Sequence, residues 1–331
     1  MPTVQPAHRP AIAHPVLEPG AIRAALATIH PAFRGSPQFV HDGLSALAGA
    51  PVVVKVESAN PIGSFKGRGT WLAVHGMAAR GQVGPGRPVV VASTGNFGQG
   101  VAYAARAAGV PAVVFCDERA NVRKVARIRA FGAAVRQVGR DFDEARAASE
   151  TFAAGEGLPL LVDGDDVLVA AGAATLALEV TDGVARGELP AIANAYVPLG
   201  NGALLVGVGA WLRATAPGCH VVGVQAAGAP SMERSWREGR VIETATADTY
   251  AEGIATRVPV PAALALIDGR VDEVLLVGED ALHKAAATLT DELGVTAEGS
   301  AAASWAGLLA DGAKRPGASL VILTGANIAR G

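Results

Sequence analysis

The sequence predicts an α/β protein built on doubly wound, parallel open sheets, and three observations carry that prediction. Short runs rich in Val, Ile and Leu recur without polar alternation, as strands covered on both faces require. Between them lie longer stretches whose apolar residues fall three and four apart, the spacing of helices. The two kinds of stretch alternate almost throughout, which is the order of a doubly wound sheet. With 331 residues, half of them hydrophobic, the chain has length and apolar content for about two domains.

Taken in order, the first twenty residues hold five prolines and read as an irregular arm without the apolar stretch of a secretory leader. Strands are expected at 51–56, 88–92, 111–115, 134–138, 160–162, 195–197, 221–225, 271–277 and 319–323. Val122, Val125 and Ile128 have helical spacing and interleave with Arg119, Arg123, Lys124, Arg127 and Arg129. That basic stretch therefore reads as the solvated face of one amphipathic helix, not a polyanion site. Leu282, Ala286, Leu289 and Leu293 mark another helix, and both periodicities lapse from about 244 to 257. No run reaches the ~20 uninterrupted apolar residues of a membrane span.

Lys and Arg total 28 against 30 Asp and Glu, a net charge of −2, which offers no global field for a polyanion or an anionic membrane. Cys116 and Cys219 lie far apart without a CxxC or Cys/His cluster, so neither a disulfide framework nor a metal site is indicated. A reducing cytoplasm is the expected location.

Four strand-to-helix junctions carry the chemistry. In the first, Pro61 and Gly63 form a turn, Ser64 is placed to cap a helix, and Lys66 falls in its first turn. The helix N-terminus already carries partial positive charge, so a cation there is misplaced and a neutral, nucleophilic amine is favoured. Alone, the motif is equally an exposed lysine at a helix start. In the second junction Gly95, Gly98 and Gly100 read G-x-x-G-x-G, which fails the dinucleotide spacing. Ser93, Thr94, Gly95 and Asn96 instead offer hydroxyl, amide and backbone N–H donors suited to a carboxylate, or simply cap the turn. The third places Gly200, Asn201, Gly202 and Ala203 before an apolar helix, exposing N–H groups to an anion, without the Lys-Ser/Thr pair of a nucleotide loop. The fourth is the turn at Thr324 and Gly325, unremarkable by itself.

In this order the four junctions resemble the fold-type II (tryptophan synthase β-like) family of pyridoxal-phosphate enzymes, in its serine/threonine dehydratase and serine racemase branch. The resemblance runs from about Leu17 to Ile328, with support from GVQAAGAPSM, TYAEGIA and TAEGSAAA. It implies two doubly wound open-sheet domains, a large cofactor-binding one from 1–80 and 164–331 and a smaller inserted one from 81–163. SFKGRG resembles the Schiff-base lysine motif, making Lys66 the residue that bears pyridoxal 5'-phosphate, with Phe65 beside it. STGNF resembles the substrate-carboxylate loop, Ser93, Thr94, Gly95, Asn96 and Phe97, with Asn96 also on the cofactor's ring hydroxyl. LGNGAL resembles the phosphate cradle, here Gly200, Asn201, Gly202, Ala203 and Leu204, and LTGAN puts the Thr324 hydroxyl at the pyridine nitrogen.

The implied activity is α,β-elimination from a β-hydroxy-α-amino acid to a 2-oxo acid and ammonia, with Lys66 as the base at Cα; β-replacement and racemisation share the same motifs. The resemblance also implies a homodimer, without nucleic-acid or membrane partners. The departures concern the substrate. Ile62 stands where the dehydratases often have Thr, and Phe97 where they often have His, so both are expected to line an apolar pocket. Asn201 and Ala203 interrupt the glycine run, and Thr94 occupies the position where racemases place a catalytic Ser. Gln225 replaces an acidic cation ligand, so no metal is expected.

Overall fold

A computed structural model describes residues 10–312 and 315–328. The expected arm is irregular over 10–14 and helical from Pro15 onward except at Glu18. Pro15 opens a short 3-10 turn and Pro19 opens α1 (Pro19–Thr28), because a proline at the first helical position sacrifices no hydrogen bond. Residues 1–9 lie outside the described part.

After β1 (Gln38–Val40), α2 (Asp42–Ala48) and β2 (Val52–Val56), α3 (Lys66–Ala79) carries the chain away to a second sheet. That sheet alternates β3 (Val89–Ala92), α4 (Asn96–Ala107), β4 (Ala112–Cys116), α5 (Val122–Ala130), β5 (Ala134–Gln137) and α6 (Phe142–Gly155). The chain returns through α7 (Val167–Ala185), β6 (Ile192–Pro198), α8 (Ala203–Thr215), β7 (His220–Ala226) and α9 (Ser231–Glu238). It ends with α10 (Pro261–Ile267), β8 (Glu273–Val277), α11 (Glu279–Leu293), α12 (Gly299–Ala310) and β9 (Ala318–Leu323). The first sheet has the order β1-β2-β9-β6-β7-β8 and the second β3-β4-β5.

Every pairing between these nine strands is parallel except β1 with β2, so the larger sheet is mixed. β1 escapes the sequence because its three residues are half-buried or exposed and form no apolar run. The strand expected at 160–162 reduces to a single bridge from Leu160 to Val90. Its pairing stops after Leu161 N donates to Val90 O, because the chain turns away at Gly164, whose φ is +93°. The expected strand at 271–277 starts at Glu273.

α7 is the central core helix. Its 19 residues are apolar enough by length and composition to cross a membrane, with a mean hydropathy of 1.6, yet two thirds of that stretch is buried. It carries Glu179, which the fold uses. Gly69 of α3 and Gly172 of α7 let these helices touch backbone to backbone; a Cβ on Gly172 would lie 2.4 Å from the Gly69 Cα. This contact brings Arg68 against Glu57 (Nε–Oε2, 2.8 Å) and Glu179 (Nη2–Oε2, 2.8 Å), while Lys55 Nζ reaches Glu179 at 2.6 Å. Burial alone would raise the Glu179 carboxyl, but hydrogen bonds and charges from Arg68 and Lys55 outweigh it and bring it to about 2. Two cations facing two carboxylates keep the cluster neutral, as buried charges require.

Candidate functional site

β2, β9 and β6 are neighbours in the large sheet, and three of the four junctions leave their carboxyl ends. Ligands of open α/β sheets bind at such ends. After β2, Asn60 Oδ1 accepts from Ile62 N at 3.1 Å and Ser64 N at 3.3 Å, and Gly63 takes φ +64°. The cap of α3 is Phe65, not Ser64; Ser64 is drawn into a bridge with Gly325, its hydroxyl accepting from Lys66 N at 3.4 Å. Phe65 N donates to Thr324 O at 3.0 Å, so the lysine turn is stitched to the end of β9.

The Lys66 amine has a carboxylate partner that the sequence motifs did not name. Nζ lies 2.6 and 2.8 Å from the two carboxylate oxygens of Asp163, with the Phe65 ring centroid 4.8 Å and that of Phe97 5.6 Å away. Asp163 escapes sequence reasoning because it sits far along the chain in no motif; the only available signal is the Asp-Gly turn at 163–164. Gly164 is required there, since a Cβ would meet Asn201 O at 2.4 Å.

From β3, Ser93 Oγ accepts from Gly95 N at 3.2 Å and Gly98 N at 3.1 Å, so this hydroxyl caps its own turn. Ser93, Thr94, Gly95 and Asn96 stay partly accessible while Phe97 is buried. Asn96 Nδ2 donates to Glu298 Oε1 at 2.9 Å, and Asn96 Oδ1 accepts from Asn327 Nδ2 at 2.6 Å. Asn327 Nδ2 also donates to Ile62 O at 2.8 Å, which clips the lysine turn to the α4 turn. Burial pushes the Glu298 carboxyl up, and donors from Ser300, Asn327 and Asn96 oppose that. Glu298 and Asn327 are further site residues that the motifs did not single out.

At the start of α8, Gly202 takes φ +99° and a Cβ there would lie 2.8 Å from Ala263 Cβ; on Gly200 it would lie 2.3 Å from Gly253 O. Backbone with glycine at 200 and 202 on either side of Asn201 thus leads into a helix whose first N–H groups have no acceptor within the helix, a cradle for an anion. Asn201 Nδ2 reaches Asp163 Oδ2 at 3.5 Å, and Asn201 Oδ1 accepts from Thr256 Oγ1 at 3.2 Å. Thr324 is buried, and its Oγ1 has no hydrogen-bond partner among the described residues.

Two expectations need correction. Ile62 is wholly buried against Ile29 and Phe33 beneath Trp71 and Tyr103, so it is satellite core and not pocket wall. The basic face of α5 is more than solvated: Lys124 pairs with Glu252, while Arg127 donates to Asn327 Oδ1 (2.5 Å) and Pro61 O (3.1 Å). Those contacts fasten α5 to the site. Gln225 is buried, and its Oε1 accepts from Glu233 N at 2.9 Å.

A family model described as pyridoxal-phosphate dependent enzyme matches residues 29–325. The L-threonine ammonia-lyase of Geobacter sulfurreducens is 36% identical over 281 residues, 85% of this chain and 68% of that protein. The L-threonine ammonia-lyase of Thermotoga maritima is 33% identical over 285 residues, 86% of this chain and 69% of that protein. The processed form of threonine deaminase isoform 2 from Solanum lycopersicum superposes with a TM-score of 0.86 at 27% identity, covering 99% of this chain and 91% of that one.

Proposed function

Because the chain belongs to the family of pyridoxal-phosphate dependent enzymes, we propose that it eliminates water from a β-hydroxy-α-amino acid, such as threonine, serine or an aryl-serine, to an enamine whose hydrolysis takes up water again, so that the net products are a 2-oxo acid and ammonia. It is a pyridoxal-phosphate dependent ammonia-lyase with an α/β fold-type II architecture. One observation carries the reading: the Lys66 amine lies among the carboxyl ends of β2, β9 and β6, with an anion cradle at α8 and the unpartnered Thr324 hydroxyl close to its own turn. These residues fit the cofactor. Gly200, Asn201, Gly202, Ala203 and Leu204 would hold its phosphate on backbone N–H groups, Lys66 its aldehyde carbon, and Asn96 its ring hydroxyl. Thr324 would face the ring nitrogen with a neutral hydroxyl, and Phe65 would pack beside the lysine.

The bound cofactor supplies a sink for the electron pair left when the Cα–H bond breaks. The protein's own groups do the rest. Ser93, Thr94, Gly95 and Asn96 hold the substrate carboxylate at the N-terminus of α4, with Phe97 at the edge of the pocket. The freed Lys66 amine takes the Cα proton on Nζ, and Thr94 presents its hydroxyl as the second acid/base group. The uncharged Thr324 lacks the means by which a carboxylate would keep the ring nitrogen protonated, which favours prompt loss of the β-hydroxyl. The released enamine hydrolyses to 2-oxo acid and ammonia.

The same reading takes residues 1–80 with 164–331 as the cofactor-binding domain and 81–163 as the smaller one, supported by β3, β4 and β5 all falling in the latter. It also takes the enzyme to work as a cytoplasmic homodimer without membrane or nucleic-acid partners. Burial pushes the Cys116 thiol up to about 11 and the Cys219 thiol up to about 12, leaving both unreactive. The test is to follow visible absorbance and 2-oxo acid release in the cofactor-loaded protein and in Lys66→Ala. The wild type shows both and the variant neither; a visible band on folded Lys66→Ala rejects the assignment.

A further inference from the structure

We propose that Asp163 is a positioning residue that serves as the counter-ion of Lys66 whenever that amine carries a proton, so that it drives proton removal from Cα and opposes cofactor loading. The inference rests on Lys66 being the cofactor-bearing base. Asp163 binds Nζ through both oxygens, at 2.6 and 2.8 Å, and both side chains are mostly buried beside the rings of Phe65 and Phe97. Ring faces on two sides keep water from screening the pair, so its attraction exceeds that of a surface ion pair. Asn201 Nδ2 reaches Asp163 Oδ2 and Thr256 Oγ1 holds the Asn201 amide, which orients the carboxylate from behind.

Five other charged groups near the site are engaged elsewhere. Glu298 is bound by Asn96, Ser300 and Asn327 N, and Arg68 by Glu57 and Glu179. Arg127 is held by Asn327 and Pro61 O, Lys124 by Glu252, and Asp166 caps α7 through Leu168 N. The positive N-terminal dipoles of α3 and α8 disfavour an ammonium there, and the Asp163 carboxylate offsets them.

The consequence follows from counting protons. When the substrate's Cα–H bond breaks, its electron pair stays on the substrate side and its proton forms the third N–H bond of Lys66, turning amine into ammonium. A carboxylate in contact with Nζ lowers the energy of that product. Cofactor loading needs the opposite form, because only an amine with its lone pair free can attack the aldehyde. One carboxylate thus speeds the proton step and slows loading.

The experiment compares wild type, Asp163→Asn and Asp163→Glu at neutral pH, measuring how fast added pyridoxal phosphate produces the visible band on cofactor-free protein, and kcat and KM of the loaded enzyme. Asp163→Asn is expected to load about tenfold faster and turn over about tenfold slower, with KM little changed, since about 1.4 kcal/mol corresponds to a factor of ten. Asp163→Glu returns both rates toward wild type. Mere structural damage slows both, so rates that fall together, or that do not move, overturn the inference. If the Asn variant does not fold, Asp163→Ser is read by the same two rates. A wild type that never acquires the band overturns the Lys66 assignment and this role with it, whereas a normal wild-type band with unchanged variant rates overturns this role alone.

Discussion

Around the Lys66 amine the side chains of Phe97 and Asp163 set two different demands on a substrate. On the proposed reading the Phe97 ring gives no partner to a charged β-substituent, and the Asp163 carboxylate, taken up by Lys66, offers none to an anionic one. With Ile62 withdrawn into the core, the proposed function rests its selectivity on these two residues instead of an Ile/Phe wall. Threonine and phenylserine are therefore expected to exceed 3-hydroxyaspartate in kcat/KM by about tenfold or more, a charged group left without a partner costing about 1.4 kcal/mol or more. Release of 2-oxo acid across serine, threonine, phenylserine and 3-hydroxyaspartate measures the ratio, and a preference for hydroxyaspartate refutes it. Gln225 makes a second residue-scale prediction. A neutral amide whose oxygen already holds Glu233 N is a poor ligand for a hard divalent cation, so prolonged chelation should leave turnover unchanged. Activity lost to chelator and restored by magnesium or calcium would contradict it.

At the scale of elements, the start of α8 is the most demanding piece of backbone. Gly202 combines φ +99° with a Cβ position 2.8 Å from Ala263, so any side chain there strains the turn and pushes on α10. Gly202→Asp adds a negative charge where a phosphate would sit, and we expect affinity for pyridoxal phosphate to fall at least tenfold, read by titrating the visible band. Undiminished affinity would assign the turn another role. Lys66, the α4 turn, the α8 turn and Thr324 were singled out in the sequence as an ordered set of four strand-to-helix junctions, each ambiguous when taken alone. Asp163 and Glu298 were not, since each acts by meeting a residue 97 or 202 positions away. α5 shows the same limit: its apolar stripe was visible, but not the partners its cations find in Glu252, Asn327 and Pro61 O.

For the whole molecule, the buried cluster of Lys55, Glu57, Arg68 and Glu179 ties β2, α3 and α7 together beneath the site. The Glu179 carboxyl lies near 2 in the folded protein against an ordinary 4.5, so its contribution to stability is complete above about 4.5 and is lost as pH falls toward 2. The full loss is about 3 kcal/mol, from the 4.5-to-2 shift at about 1.4 kcal/mol per pKa unit. Denaturant unfolding at stepped pH should show stability dropping through that window, with a shallower drop in Glu179→Gln; equal slopes would dismiss the cluster as the acid-sensitive element. The sequence by itself determined the α/β class, most of the strands and the four junction motifs, because apolar periodicity and turn chemistry act within a few residues of chain. Only the tertiary structure decided that β9 returns between β2 and β6 and that β1 joins antiparallel. It alone decided that Ile62 is core and that a carboxylate waits on the lysine, because burial and charge pairing depend on which distant segments the packing brings into contact.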